Sequence, residues 1–356
     1  MSEADERAEL VRLRLASQLL AGPPALSPEA IVDRLLTVQA QDVRGFRLGV
    51  RARSSGLAAA DVDRALSGKR SLVVSWLNRG TLHLIGPDDY WWLHALTTPQ
   101  LVVGNERRLR QEGVTAAETD RGVAAVVEAV STDGPQTRTQ LRHRLDEAGV
   151  PTLGQALVHV LFAASLRAHV VRGPLIGSEH CYVAAAEWLG GQPPKLERDE
   201  ALARLARRYL AGHGPAGPAD LAKWAGITLR DARLGFALIA QEVTTVRDGL
   251  VVVAGTPAPT SSILPRLLGA FDELMHGWTS REPFVGRHGG VVTTNGVFRP
   301  IALVDGRVVA TWALPRGVVS IQSLERIPGH ALDALATEAA DVLRFLGLPD
   351  EPMVVT

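Results

Sequence analysis

Leu72–Val73–Val74–Ser75–Trp76–Leu77, then Asn78–Arg79–Gly80, then Thr81–Leu82–His83–Leu84–Ile85: this stretch decides how the chain is read. Two β-rich runs flank a short polar turn, which is a hairpin signal. Three short amphipathic helices precede it, and helices followed by such a hairpin make a winged helix. The same order of elements recurs twice. Ala168–His169–Val170–Val171 leads through Arg172–Gly173–Pro174 to His180–Cys181–Tyr182–Val183. Val243–Thr244–Thr245–Val246 turns at Arg247–Asp248–Gly249 into Leu250–Val251–Val252–Val253. The copies share element order rather than close sequence identity. Three wings in one chain imply a multipoint grip on a long ligand. Duplex nucleic acid suits it first, because a helix fits the major groove and a ribbon fits the grooves or backbone. Winged helices also serve as protein–protein modules, so the pattern by itself leaves that class open.

Working outward, helical patterns cover Glu9–Leu19, Ile31–Leu36, Phe46–Arg53 and Ala58–Leu66. Ser27 is placed as an N-cap with Pro28 at the first helical position. Asp88–Leu96 carries Tyr90, Trp91 and Trp92, a cluster that suits a domain interface. The second copy has helices at Asp120–Val130, Thr137–Glu147 and Leu153–Leu166, and Gly190–Gly191–Gln192–Pro193–Pro194 reads as a linker. The third has Arg198–Leu210, Pro218–Ala225 and Thr228–Ala240. Beyond Thr256 the pattern changes. Val291–Thr294, Ile301–Val304, Arg307–Trp312 and Val318–Gln322 are strands, punctuated by Asn295–Gly296 and Asp305–Gly306, which are hairpin signals. A helix at His330–Leu346 follows. The expected fold is therefore α+β: three tandem winged helices and a C-terminal antiparallel meander or small barrel. The expected domains are residues 1–115, 116–192, 193–256 and 257–356.

Composition narrows the class. The chain has 356 residues, 46% hydrophobic and 5% aromatic, enough for several aliphatic cores. Its beginning, Met1–Ser2–Glu3–Ala4–Asp5–Glu6–Arg7, is acidic and shows no secretory apolar segment. No apolar run approaches the roughly 18 residues of a spanning helix. One cysteine, Cys181, excludes an internal disulfide framework and fits a reducing cytoplasm. The 38 basic residues balance 38 acidic ones, which argues against coating DNA by bulk charge but not against a basic concave face. Only Lys69, Lys195 and Lys223 are lysines, so arginine supplies the rest. Arginine suits bidentate phosphate or guanine contacts, although GC-rich coding produces the same bias.

Catalytic chemistry has few places to sit. No His or Cys set has metal-ligand spacing, and no phosphate loop, dinucleotide fingerprint or nucleophile elbow is present. Cys181 lies in a wing strand, where a small buried hydrophobe is the usual occupant. What remains is Thr37–Val38–Gln39–Ala40–Gln41–Asp42. In an extended segment Gln39 and Gln41 project to one side and Asp42 to the other, because the side-chain period is two. Paired carboxamides offer acceptors and donors that can orient a water, though neither is a strong base. Two glutamines in such a connection also serve simply by facing solvent or bonding backbone.

Gln39–Ala40–Gln41 early in a first winged helix, Trp76–Leu77–Asn78–Arg79–Gly80–Thr81–Leu82–His83, Phe271–Asp272–Glu273–Leu274 through Arg281, and Val304–Asp305–Gly306–Arg307–Val308–Val309 together resemble the winged-helix DNA glycosylases of the AlkZ/YcaQ family. The resemblance covers nearly the whole chain. It implies a C-shaped body around DNA and excision of N7-alkylated guanine, including bulky adducts and interstrand crosslinks from genotoxic natural products. A Gln-x-Gln pair marks the AlkZ-like branch, so Gln39 and Gln41 inherit the catalytic role. A DNA-probing hairpin is implied within Arg281–Arg299.

The expected DNA-facing set is Arg44, Arg47, Arg79, Thr81, His83, Arg281, Arg287, His288 and Arg299. Arg79 and Arg281 have a structural alternative as carboxylate partners, of Asp88 or Asp272 for example. The expected enzyme is a monofunctional, metal-free and cofactor-free cytoplasmic glycosylase. It acts as a monomer on double-stranded DNA carrying N7-alkylguanine, with no membrane or obligate protein partner. Its rivals are a winged-helix transcriptional regulator and a lesion-binding protein that cuts nothing.

Overall fold

Local side-chain chemistry sets many helix boundaries in the computed structural model, which describes residues 2–176, 179–247, 249–257 and 263–356. Ser27 accepts from the Ala30 amide to start Pro28–Leu35, as its position next to a proline suggests. Thr115 and Glu118 cap Ala116–Thr132 reciprocally, and Thr137 and Gln140 do the same for Arg138–Glu147. Gly347, in the left-handed region, ends Gly329–Leu346. Gly177 and Ser178 of the second expected hairpin loop, and Asp248 of the third expected turn, lie outside the described residues.

The chain forms two compact units, Met1–Val62 with Leu202–Thr356, and Asp63–Ala201. These divisions fall inside the first and third of the domains expected from sequence rather than at their edges. Strand β1 (Thr37–Gln39) belongs to the first unit.

The second unit holds β2 (Val73–Leu77), β3 (Thr81–Ile85), β4 (Val170–Ile176) and β5 (Glu179–Ala184). β2 and β3 pair as the expected hairpin, with Val73 opposite Ile85 and Leu77 opposite Thr81. Asn78 and Gly80 take φ of 49° and 82° in the turn, positions that most side chains resist. The first two hairpins are not separate. β2 pairs with β4 at Val74 and Arg172, so both hairpins share one sheet in the order β3-β2-β4-β5. Trp76, Val126, Val160, Leu161, Val170 and Tyr182 sit in one core against it. The Arg172 guanidinium carbon lies 4.8 Å from the Trp76 ring centroid and 4.3 Å from that of Tyr182. Tyr90, Trp91 and Trp92 are buried along Pro87–Thr97. Cys181 is a core side chain of β5, and burial pushes its thiol pKa up. It is no poised nucleophile.

The first unit resumes with β6 (Val243–Arg247) and β7 (Leu250–Val253), a two-stranded sheet of its own. Then come β8 (Arg266–Leu268), β9 (Ile301–Val304), β10 (Arg307–Ala313), β11 (Ser320–Ser323) and β12 (Val354–Val355). Their order, β12-β11-β10-β9-β8, leaves two edges. Of the two expected forms, meander or small barrel, the C-terminal element takes the meander: β8 to β11 pair antiparallel in an open sheet, and the last pair, β11 with β12, is parallel. Asp305 and Gly306 both have positive φ between β9 and β10, the conformation a tight hairpin turn demands. Asn295–Gly296 also turns the chain, but its flanks form one isolated bridge, Val292 with Phe298, rather than strands.

Arg51 ties three elements of this unit together. From the helix Val43–Ala52 it donates to the Leu267 carbonyl of β8 at 2.7 Å, and to Glu338 and Asp341 of Gly329–Leu346. Among the described residues no helix is long and apolar enough to cross a membrane.

Candidate active site

The Pro28–Leu35 helix stops at Leu36, whose φ of 67° turns the chain sharply into β1. Such a conformation costs a non-glycine residue roughly 1–2 kcal/mol, so the surrounding packing must hold it there. β1 ends at Gln39, and Asp42 then caps the helix Val43–Ala52 by accepting from the Gly45 amide.

The period-two expectation for this segment is not matched by the exposure of its side chains. Gln39 is buried, with 4% exposure, whereas Gln41 is exposed. Gln41 lines a cleft of about 590 Å³ with Arg44, Leu48, Ala270, Pro300 and Trp312. Asp42, expected on the opposite side, lines the same cleft while serving as the cap. The chain leaves the strand immediately after Gln39, so the alternation does not extend to Asp42.

Two glycines bring helix and loop together beside the cleft. A Cβ on Gly45 would lie 2.3 Å from the Ala270 carbonyl oxygen. One on Gly269 would lie 2.9 Å from the Gly45 oxygen and from the Leu48 Cβ. Helix and loop thus touch backbone to backbone, a separation that only glycine permits.

Beyond Ala270 comes Phe271, also left-handed at φ 57°, and then the Asp272–Glu273 pair. Both carboxylates are buried. Asp272 receives the Arg53 guanidinium through both oxygens at 2.8 and 2.9 Å. Arg53 also donates to Gln18 at 3.0 Å and to the Gly49 carbonyl at 2.9 Å. Glu273 accepts the Gln39 backbone N–H on Oε2 at 3.0 Å and the Trp224 indole N–H on Oε1 at 2.7 Å. His213 Nε2 lies 3.5 Å from the same Oε1. His213 stacks on Tyr209, whose hydroxyl donates to the Gly277 carbonyl. The Phe–Asp–Glu–Leu stretch is therefore a buried clamp on the glutamine segment. The motif is visible in the sequence, but that role is not. A buried acid was its only signal, and burial is not written in the local pattern.

The expected DNA-facing residues divide by environment. Arg44 and Arg299 are exposed, and Arg287 is 75% exposed although it donates to Glu325 at 3.2 Å. His288 also meets Glu325, at 2.9 Å, and that hydrogen bond holds the Glu325 carboxyl below the usual carboxylate range. Arg47, Arg79 and Thr81 are half-buried. His83 is buried, with Nδ1 2.9 Å from the Thr81 carbonyl. Arg281 is half-buried. It donates to the Met275 carbonyl at 2.6 Å and lies 4.9 Å over the Phe298 ring, and burial lowers its pKa. A carbonyl and a ring hold it, rather than Asp272. Among the described residues no group of three or more His, Cys, Asp or Glu is arranged to hold a metal ion.

With the fold and the glutamine segment in view, comparison with known proteins defines the class. Residues 32–345 match the family described as DNA glycosylase AlkZ-like. The chain belongs to this family of DNA glycosylases, which are hydrolases of N-glycosyl bonds. An interstrand DNA cross-link repair glycosylase of Streptomyces sahachiroi is 28% identical over 370 residues, covering 96% of each chain. The structure of the Streptomyces sahachiroi DNA glycosylase AlkZ is similar at a TM-score of 0.79 and 25% identity, over 98% of this chain and 99% of that one.

Proposed function

We propose that this glycosylase excises N7-alkylated guanine from double-stranded DNA, interstrand crosslinks included, with Gln39 and Gln41 as its catalytic pair. In this reading three tandem winged helices grip the duplex. The enzyme works in the cytoplasm as a monomer, without metal or cofactor. The observation that carries the reading is the placing of Gln41 on an open cleft beside Arg44, next to an acid, Asp42, already committed to capping a helix.

The chemistry follows from that inventory. Alkylation at N7 makes guanine cationic and a good leaving group, so departure needs no strong acid. The sugar then passes toward an oxocarbenium-like state, and a water positioned by neutral carboxamides completes hydrolysis. Unmodified guanine, a poorer leaving group, is spared. The relative named as a cross-link repair glycosylase supports extending the substrate to crosslinks.

Single-turnover release of 7-methylguanine from a duplex oligonucleotide tests this. Gln39→Ala and Gln41→Ala should each slow release by about 10²-fold or more with little change in DNA affinity. Exhaustive EDTA treatment should leave the rate unchanged. Wild-type rates in both variants would remove the catalytic assignment.

A further inference from the structure

We propose that Glu273 is the positioning residue for Gln39, and that it must be a carboxylate because it accepts from two opposed donors at once. The inference rests on the reading of Gln39 as a catalytic group. Oε2 receives the Gln39 backbone N–H at 3.0 Å, and Oε1 receives the Trp224 indole N–H at 2.7 Å. Glu273 is 1% exposed and Trp224 is fully buried, so water does not stand in for either acceptor. A glutamine of the same shape has one acceptor and one NH₂ group. Whichever way it turns, it faces one of the two donors with another donor.

This contact sits where placement matters. The Gln39 amide is the last of β1, and the next residues run directly to Gln41 at the cleft. The strand is entered through the strained Leu36 and is only three residues long. Glu273 is itself fixed from the other side. Its neighbour Asp272 is locked bidentately to Arg53 and also accepts the Leu274 amide at 3.0 Å. The carboxylate is thus a fixed peg, and the glutamine segment hangs on it. A displacement of about 1 Å at a reacting group can cost about 10²-fold in rate.

The two-donor geometry also supplies the test. Trp224→Phe removes one donor, and a glutamine at 273 can then turn its oxygen to Gln39. Excision of 7-methylguanine and duplex affinity would be measured for E273Q, W224F, W224F/E273Q, W224F/E273A and Q39A. Hydrogen exchange of the Gln39 amide would be followed in each variant. E273Q should slow excision by at least about tenfold at unchanged DNA affinity and speed exchange of that amide. W224F/E273Q should return to within about threefold of W224F in rate and regain slow exchange, whereas W224F/E273A should do neither. The comparison within the Trp224→Phe background stands even where E273Q alone fails to fold. A fast E273Q beside a slow Q39A would overturn the positioning role and leave the catalytic reading of Gln39 intact. A slow W224F/E273Q with W224F active would likewise overturn it. A fast Q39A would overturn both.

Discussion

Replacing Gly45 by alanine adds one methyl group at the closest backbone contact in the candidate site. The new Cβ would lie 2.3 Å from the Ala270 carbonyl oxygen. A carbon–oxygen contact is comfortable at about 3.3 Å or more, so helix and loop must part by roughly 1 Å. The obstacle is backbone and cannot swing aside. Overpacking of this kind costs typically 1–3 kcal/mol, against a helix-propensity gain of about 1 kcal/mol for glycine to alanine. The net expectation is a loss of up to about 2 kcal/mol. The same separation moves the helix that Asp42 caps, and Gln41 with it, so excision should fall by about 10-fold to 10²-fold. Gly104 is the control. It lies in the helix Pro99–Gln111 with nothing within 4 Å of its added Cβ, so Gly104→Ala should stabilise by about 0.5–1 kcal/mol and leave excision unchanged. Urea unfolding followed by circular dichroism reads the stability, and single-turnover base release reads the site. Should the two units unfold separately, each substitution should shift only the transition of its own unit. A Gly45→Ala enzyme as stable and as fast as wild type would refute the argument from close approach.

Three other outcomes are expected. Asp272→Asn leaves the Arg53 guanidinium buried beside a neutral partner, and should lower unfolding stability by about 3–5 kcal/mol in a urea titration. Arg287→Ala and Arg299→Ala should each reduce the salt dependence of duplex binding by about 0.9 in slope if the lost group meets a phosphate, whereas Arg281→Ala should lower the thermal midpoint and leave that slope alone. His94 is buried with Nε2 2.9 Å from the Ser165 carbonyl, and burial pulls its pKa below the usual 6.5. The unfolded chain then binds the proton more readily. His94's contribution is present above about pH 6.5 and lost as pH falls toward its folded value, so His94→Gln should flatten the stability profile in that window.

Hairpins and helices were largely legible because their signals are local. The β-rich runs Val73–Leu77 and Thr81–Ile85 on either side of Asn78–Arg79–Gly80 locate β2 and β3 within a residue. Ser27 and Pro28 mark a helix start for reasons contained in three residues. The fusion of the first two hairpins into one sheet was not legible, since nothing in Val74 or Arg172 names its partner. Nor did the C-terminal turns reveal whether the sheet closes, because closure depends on register summed over all its strands.

The glutamine pair divides in the same way. Its presence in a short connection ahead of an amphipathic helix is a property of the chain's order, and the sequence by itself determined it. What only the tertiary structure decided is that one carboxamide is buried and the other faces a cleft, and that the buried one hangs from an acid 234 positions away. Periodicity and capping act over a few residues. A contact between β1 and Glu273 exists only once Gly45 has met Ala270 and Arg53 has met Asp272, and those meetings are settled by packing.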